Sequence, residues 1–103
     1  MDKRYVLKVY HGGWFAPFWG VSEVAHVYRP IDHEAPQIGT LVTIPLIGSE
    51  LTSIKVRVDG HHQVSDDLLE VSMNYYTGVH HGRKHIGSVP KQILVMSGWE
   101  EVR

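Results

Sequence analysis

The sequence predicts a mainly β fold: a small, single-domain antiparallel barrel of about five to six strands, with room for one short helix. Three observations lead to this fold class. Apolar residues alternate with polar ones in six segments, glycine and proline separate the segments, and 103 residues suffice for one hydrophobic core. Short strands at this spacing are typical of a closed or nearly closed barrel, so we treat residues 1–103 as one domain.

Two strands are predicted near the N-terminus and a third at an edge of the sheet. Residues 5–10 and residues 21–28 each alternate with a period of two. Residues 40–47 are also strand-like, but Pro45 lacks the N–H that a ladder hydrogen bond needs. We therefore expect the third strand at an edge or at a bend.

A fourth strand is predicted to form a hairpin with the third. After a turn at residues 48–50, apolar and charged side chains alternate over residues 54–59. This alternation predicts a hairpin with one face on the core and one face in water.

The last third of the chain contains two further predicted strands, at residues 69–76 and 93–99. The first of these has a helical alternative, because Ser65 suits a helix N-cap and two acids follow it. We favour the strand, since the alternation is strict and Val71 is β-branched. The polar residues 30–39 form the longest predicted loop.

Composition excludes several classes of protein. Ten Lys and Arg oppose eleven Asp and Glu, so the formal net charge of −1 gives no overall attraction to nucleic acid or an anionic membrane. The chain has no cysteine, which excludes disulfide scaffolds and thiolate zinc sites. The N-terminal apolar run is too short for a signal peptide or a membrane span. We expect a soluble, cytoplasmic protein that needs no cofactor.

Three segments in the last third of the chain form a recognisable series: Asp67–Val71, Tyr75–Gly78 and Gly82–Leu94. Together they make residues 67–96 resemble the second half of a Src-homology-3 domain. In that family an acidic and apolar strand leads to an aromatic residue, and a Gly-x-x-Pro segment, matched here by residues 87–90, closes the barrel. The resemblance implies a small barrel whose partner-binding face includes Tyr75, Tyr76 and Pro90.

The sequence departs from that family at positions that concern binding. Ile93 stands where the family has an aromatic residue, a tyrosine replaces the tryptophan of the binding face, and no tyrosine-rich motif precedes the segment. The resemblance therefore implies the barrel without proline-rich peptide binding.

A predicted loop near the N-terminus is rich in large aromatic residues. The loop is bracketed by glycines and interrupted by Pro17, so it is not a strand. Its aromatic residues are Trp14, Phe15, Phe18 and Trp19. Two interpretations remain open. The rings could close one end of the barrel as part of the core. Alternatively, at least two of them stay exposed and anchor a protein partner, since aromatic residues dominate interface hot spots.

A basic turn that is rich in histidine is a further candidate site. It contains His80, His81, Arg83, Lys84 and His85. Its permanent charges, together with histidines that gain charge as the pH falls, would attract a phosphate group or an acidic partner. Nucleic-acid binding would use this turn for phosphate while Tyr76 or Trp14 stacks on bases.

A metal site would require residues that are distant in sequence to converge. The best ligand set would be Asp59, His61, His81 and His85. Both histidine pairs, at residues 61–62 and 80–81, are predicted in turns, and adjacent histidines point apart when the backbone is extended. Because a metal needs three or four ligands in fixed geometry, we expect no metal site.

These features favour a binding protein over an enzyme. The sequence contains no nucleophile elbow, phosphate-cradling loop, dinucleotide fingerprint or zinc-protease motif, so we assign no catalytic residue. The leading hypothesis is a small interaction module, of the adaptor or inhibitor type, that binds another protein through the aromatic loop and the face with Tyr75 and Tyr76. The alternative is a small nucleic-acid-binding barrel that uses the basic turn.

Overall fold

A six-stranded, curled sheet in the form of a half-barrel makes up most of the described structure. The computed structural model describes residues 2–11, 22–48, 52–77, 80–81, 84–85 and 91–101. Its elements are β1 (Asp2–His11), β2 (Ser22–Ile31), β3 (Leu41–Pro45), β4 (Ser53–Ser65), β5 (Leu68–Thr77), β6 (His80–His81), β7 (Lys84–His85), α1 (Lys91–Met96) and β8 (Glu100–Glu101). The predicted mainly β fold with one short helix is confirmed.

The sheet has the strand order β3-β4-β5-β1-β2-β8, and β6 pairs with β7 in a separate two-stranded sheet. Three pairs of strands that are neighbours in sequence form antiparallel hairpins in this sheet: β1 with β2, β3 with β4, and β4 with β5. The central pair, β1 with β5, is parallel. The structure corrects the antiparallel expectation at this pair, because a period of two is the same in parallel and antiparallel strands.

The inner face of the sheet carries the hydrophobic core. The period of two puts every second side chain of each strand on this face. The fully buried residues, including one from α1, are Leu7, Val9, Val27, Ile44, Val58, Val71, Met73 and Leu94. Burying a side chain of this size contributes roughly 1.5–3 kcal/mol, so the alternation seen in the sequence is the main determinant of the sheet.

The β4–β5 hairpin settles the ambiguous segment in favour of the strand. The two strands are joined by a two-residue turn at residues 66–67. β4 is 13 residues long, so His61 and His62 lie in a strand paired with β5. The prediction of a turn at these two histidines is wrong, because the backbone continues to pair with β5 beyond Val58, where the side chains are no longer in the core.

The loop between β2 and β3 lies against β4. The Gly39 N–H donates to the Val58 carbonyl at 2.8 Å, and the Val58 N–H donates to the Thr40 carbonyl at 2.8 Å. The His61 Nε2 atom lies 2.6 Å from the Pro36 carbonyl oxygen. Because a carbonyl only accepts, His61 carries a proton on Nε2. These contacts hold the loop beside the sheet.

The segment predicted as the last strand, residues 93–99, is mostly helical. α1 ends in a Schellman motif, in which the Trp99 N–H donates to the Leu94 carbonyl at 3.0 Å. Gly98 has a φ of 98°, a left-handed conformation that suits glycine. The strand prediction is wrong because periodicity does not distinguish a short apolar strand from a short buried helix. Gly98 was the sequence signal for the helix end.

α1 is fixed to its surroundings at both ends. The Ser97 hydroxyl donates to the Ile93 carbonyl at 2.6 Å and accepts the Ile47 N–H at 2.8 Å. The Lys91 Nζ atom lies 3.1 Å from a carboxylate oxygen of Glu101. Within the described residues, no helix has the length and apolar character needed to cross a membrane.

Candidate binding cleft

A cleft opens between the two edges of the curled sheet. It lies between β3 on one side and the end of β2 with Trp99 on the other, and its volume is about 340 Å³. The lining includes Tyr5, Arg29, His33, Thr43, Ile44 and Trp99. A closed barrel would have no such opening. Because the described sheet stops at a half-barrel, part of its inner face borders solvent.

Aromatic rings form the floor of the cleft. Tyr5 is 8% exposed and Trp99 is 3% exposed, and their ring centroids lie 6.3 Å apart. The His33 ring centroid lies 6.4 Å from that of Tyr5. Tyr5 shares the inner face of β1 with Leu7 and Val9, and of these three it alone lines the cleft. The floor is therefore continuous with the hydrophobic core.

The indole N–H of Trp99 is buried and has no hydrogen-bond acceptor among the described residues. An unpaired buried donor costs about 1–3 kcal/mol. The Schellman motif of α1 and the contact with the Tyr5 ring hold Trp99 in this position. Apolar packing thus outweighs the lost hydrogen bond at this side chain.

Arg29 supplies a positive charge to the cleft. It lies directly opposite Tyr5 in the β1–β2 register, which puts its side chain on the inner face of the sheet. Within the described part of the chain Arg29 forms no ion pair, whereas Arg4 pairs with Glu70 on the outer face. Asp32 lines the same cleft but is exposed. Arg29 is half-buried in the cleft and has no carboxylate partner among the described residues.

Burial also changes the ionisation of two tyrosines. Burial raises the pKa of Tyr5 above its usual value of 10.0, and the Arg29 guanidinium partly offsets this rise. Burial likewise raises the pKa of Tyr75. A raised pKa means that the folded protein disfavours the phenolate. The resulting stability is complete below about pH 10 and is lost as the pH rises through the raised pKa.

We expect the melting temperature to fall between about pH 8 and about pH 11, and to fall less in Tyr75→Phe, which cannot ionise at this position. Thermal melts of the wild type and the variant at both pH values measure this difference. An equal fall in the two proteins would show that Tyr75 ionises as easily in the folded state as in the unfolded state.

The edge of β3 that borders the cleft has no partner strand among the described residues. Among the described strands β3 pairs with β4 alone. The Leu46 N–H donates to the Thr52 carbonyl at 2.9 Å. In an antiparallel pair, successive residues direct their N–H and C=O groups alternately toward the partner strand and away from it. The Leu46 N–H points to the β4 side, so Leu41, Thr43 and Pro45 direct their backbone groups away from β4. The prediction that Pro45 marks an edge strand is confirmed, since its missing N–H falls at an outward position.

Several residues that the sequence assigns to partner binding lie outside the described residues. These are Trp14, Phe15, Phe18, Trp19, Arg83 and Pro90. Their assignment stays a prediction.

Tyr75, which the sequence assigns to an exposed tyrosine face, is buried. Its side chain is 8% exposed and belongs to the hydrophobic core. In the parallel β1–β5 pair it lies opposite Val9, on the inner face. The structure therefore corrects the assignment of Tyr75 to a partner-binding surface. Tyr76 is the next residue of β5, and its side chain lies outside what the structure describes.

The basic turn includes a short hairpin formed by β6 and β7. His80 pairs with His85, and His81 pairs with Lys84. The backbone thus brings these four residues of the predicted basic site into one hairpin.

The residues that a metal site would have required belong to two different hairpins. Asp59 and His61 lie in β4, while His81 and His85 lie in β6 and β7. In the part of the chain that the structure describes, no group of three or more His, Cys, Asp or Glu could hold a metal ion. The ring of His61 contacts the Pro36 carbonyl instead.

The outer face of the sheet bears a second groove, of about 420 Å³. There the Arg4 guanidinium lies 4.2 Å from the centre of the Tyr28 ring and pairs with Glu70. On this face of β1, β2, β5 and β8, carboxylates outnumber permanent cations. The carboxylates are Asp2, Glu23, Glu70 and Glu100, and the cations are Arg4 and Lys8. The outer face of these four strands therefore does not favour a phosphate backbone.

Sequence reasoning did not identify Tyr5, Arg29 and Trp99 as members of one site. They come from three distant segments, so no local motif connects them. The available signal was Arg29 itself, a charged residue in the alternating row of Ala25, Val27 and Ile31.

Comparison with known protein families, curated proteins and solved structures finds no match for this chain. Its function must therefore be inferred from the geometry of the cleft.

Proposed function

We propose that this chain is a non-enzymatic interaction module that binds another protein through the cleft between β3 and the end of β2. The observation that carries the proposal is a free strand edge beside an opening with an aromatic floor. Open strand edges pair readily with other chains, and buried aromatic rings supply apolar contact area. The combination suits a protein partner.

An extended polypeptide suits this cleft better than a small metabolite does. The edge of β3 offers N–H and C=O groups in series, at Leu41 and Thr43, which one polypeptide backbone can satisfy together. A small molecule would use one or two of them. The remaining edge groups would stay in water and contribute nothing to its affinity.

The aromatic loop supplies a second proposed contact. Trp14, Phe15, Phe18 and Trp19 have the composition of an interface centre. A protein partner that engages both the cleft and the loop would cover more surface than the cleft alone.

Site-specific photo-crosslinking tests the proposal. A benzophenone amino acid replaces Thr43, which lines the cleft, in the full chain expressed in its native host. We expect a discrete crosslinked protein, because Thr43 is exposed on the edge strand that a bound partner would cover. The matched control places the same amino acid at Val64, which is exposed near the far end of β4. Crosslinks that are absent at Thr43, or equal at both positions, would contradict binding at the cleft.

Nucleic-acid binding is the second candidate function. The observation that favours it is the β6–β7 hairpin, which pairs His81 with Lys84 and His80 with His85. The excess of carboxylates on the outer face of β1, β2, β5 and β8 works against it. Titration with single-stranded nucleic acid at two salt concentrations tests this candidate, since phosphate contacts make affinity fall steeply with salt. Binding that is absent or independent of salt would exclude it.

A further inference from the structure

We propose that the partner adds an extended segment as a strand along the free edge of β3 and places an acidic side chain beside Arg29. This inference rests on the proposed function and specifies the partner chemistry of the same cleft. In strand addition, backbone hydrogen bonds provide affinity and pockets for alternate side chains provide selectivity.

The backbone of β3 has the groups that strand addition requires. Leu41 and Thr43 each direct an N–H and a C=O away from β4, and Pro45 directs a C=O only. Within the described residues these groups have no backbone partner. Pro45 ends the series of donors, so the added strand is short.

Side chains of an added strand would alternate between two environments. On the inner side they would meet the rings of Tyr5 and Trp99 at the cleft floor. On the outer side they would meet Leu41, which is 54% exposed. Both environments favour apolar side chains, because an apolar contact removes exposed hydrocarbon from water.

Beside Arg29 the cleft favours a charged side chain of the partner rather than an apolar one. Arg29 is half-buried and has no ion pair within the described residues. A guanidinium binds a carboxylate through two parallel hydrogen bonds. Asp32 lines the cleft but is exposed and does not pair with Arg29, so no described carboxylate neutralises the positive charge. An Asp or Glu of the partner supplies the missing counter-charge.

Peptide selection identifies a probe. A random linear peptide library displayed on phage is selected against the full chain. We expect the enriched peptides to contain one Asp or Glu, flanked by β-branched or aromatic residues that favour an extended strand. Failure to enrich peptides, or enrichment without an acidic residue, would overturn the inference. Crosslinking at Thr43 decides the proposed function separately, because it does not require the partner segment to be extended.

N-methylation of the enriched peptide tests the backbone pairing. Methylation at each residue in turn should weaken binding about tenfold at alternate residues and little at those between, since only every second N–H of an added strand faces β3. The insensitive positions serve as the matched control. A loss without this period of two would show that side chains, rather than an added strand, carry the binding. This measurement uses the wild-type protein and is independent of any folding defect.

A proline on β3 tests the same pairing from the protein side. Thr43→Pro removes an outward N–H, whereas Thr43→Val removes the side-chain hydroxyl and keeps that N–H. We expect Thr43→Pro to bind the enriched peptide about three- to tenfold more weakly than Thr43→Val. Equal affinities would overturn strand addition at this edge. Thermal melts establish that both variants are folded.

A double-mutant cycle tests the carboxylate. Arg29→Gln should weaken the acidic peptide about tenfold, and should weaken the same peptide with its Glu changed to Gln less than about twofold. Equal weakening of both peptides would overturn the assignment of Arg29 to a carboxylate while leaving binding at the cleft intact.

Sedimentation of the chain without peptide tests whether a second copy of the chain occupies the edge of β3. If the wild type is a dimer and Thr43→Pro is a monomer, the edge binds a second copy of the chain, and the inference is overturned.

Discussion

Replacing Leu7 with alanine is expected to lower the free energy of unfolding by about 2–5 kcal/mol. Leu7 is 0% exposed and lies in β1, between β2 and β5 in the sheet. Its register neighbours Val27 and Met73 are also fully buried. Close packing on both sides prevents the structure from collapsing into the cavity that the substitution leaves. Denaturant unfolding measures the change.

The matched control is the same substitution at an exposed leucine. Leu41 is 54% exposed, so Leu41→Ala should change the free energy of unfolding by no more than about 0.5 kcal/mol. Comparable losses in the two variants would show that β1 is not the centre of the core.

Replacing Trp14 or Trp19 with alanine is expected to weaken partner binding at least about tenfold while leaving the melting temperature close to that of the wild type. The reason is compositional. Glycines bracket the aromatic loop and Pro17 interrupts it, so its rings cannot all alternate into a core. The measurement pairs the melting temperature with the affinity for the protein captured by crosslinking at Thr43.

The two interpretations of the aromatic loop give opposite outcomes. If the rings are part of the core, both tryptophan variants unfold as readily as Leu7→Ala, and the loop has no role in binding. If the rings anchor a partner, the affinity falls while the melting temperature is retained. The Leu7→Ala variant is therefore the reference for both.

The strands follow from local chemistry, and the sequence predicted them well. Alternation over residues 5–10 and 54–59 specifies which side chains face the core, because successive side chains of a strand point to opposite faces. Pro45 specified an edge position, since its missing N–H excludes it from a central strand. Each of these features is carried by a single segment.

The pairing of distant segments did not follow from the sequence. The parallel β1–β5 pair buries Tyr75 opposite Val9, and no periodicity reports which strand a segment will meet. The helix at residues 91–96 was also missed. A short apolar run forms a strand or a helix according to what it packs against, and here Leu94 is buried in the core.

The sequence alone thus determined the mainly β class, the positions of most strands and the face that each turns to the core, because these depend on the local order of apolar and polar residues. Only the tertiary structure decided that the described sheet is open and that Tyr5, Arg29 and Trp99 share one cleft. The physical reason is that the cleft lies between the two edges of a curled sheet. Which residues meet there depends on strand order and curvature, which arise from contacts between segments far apart in the chain.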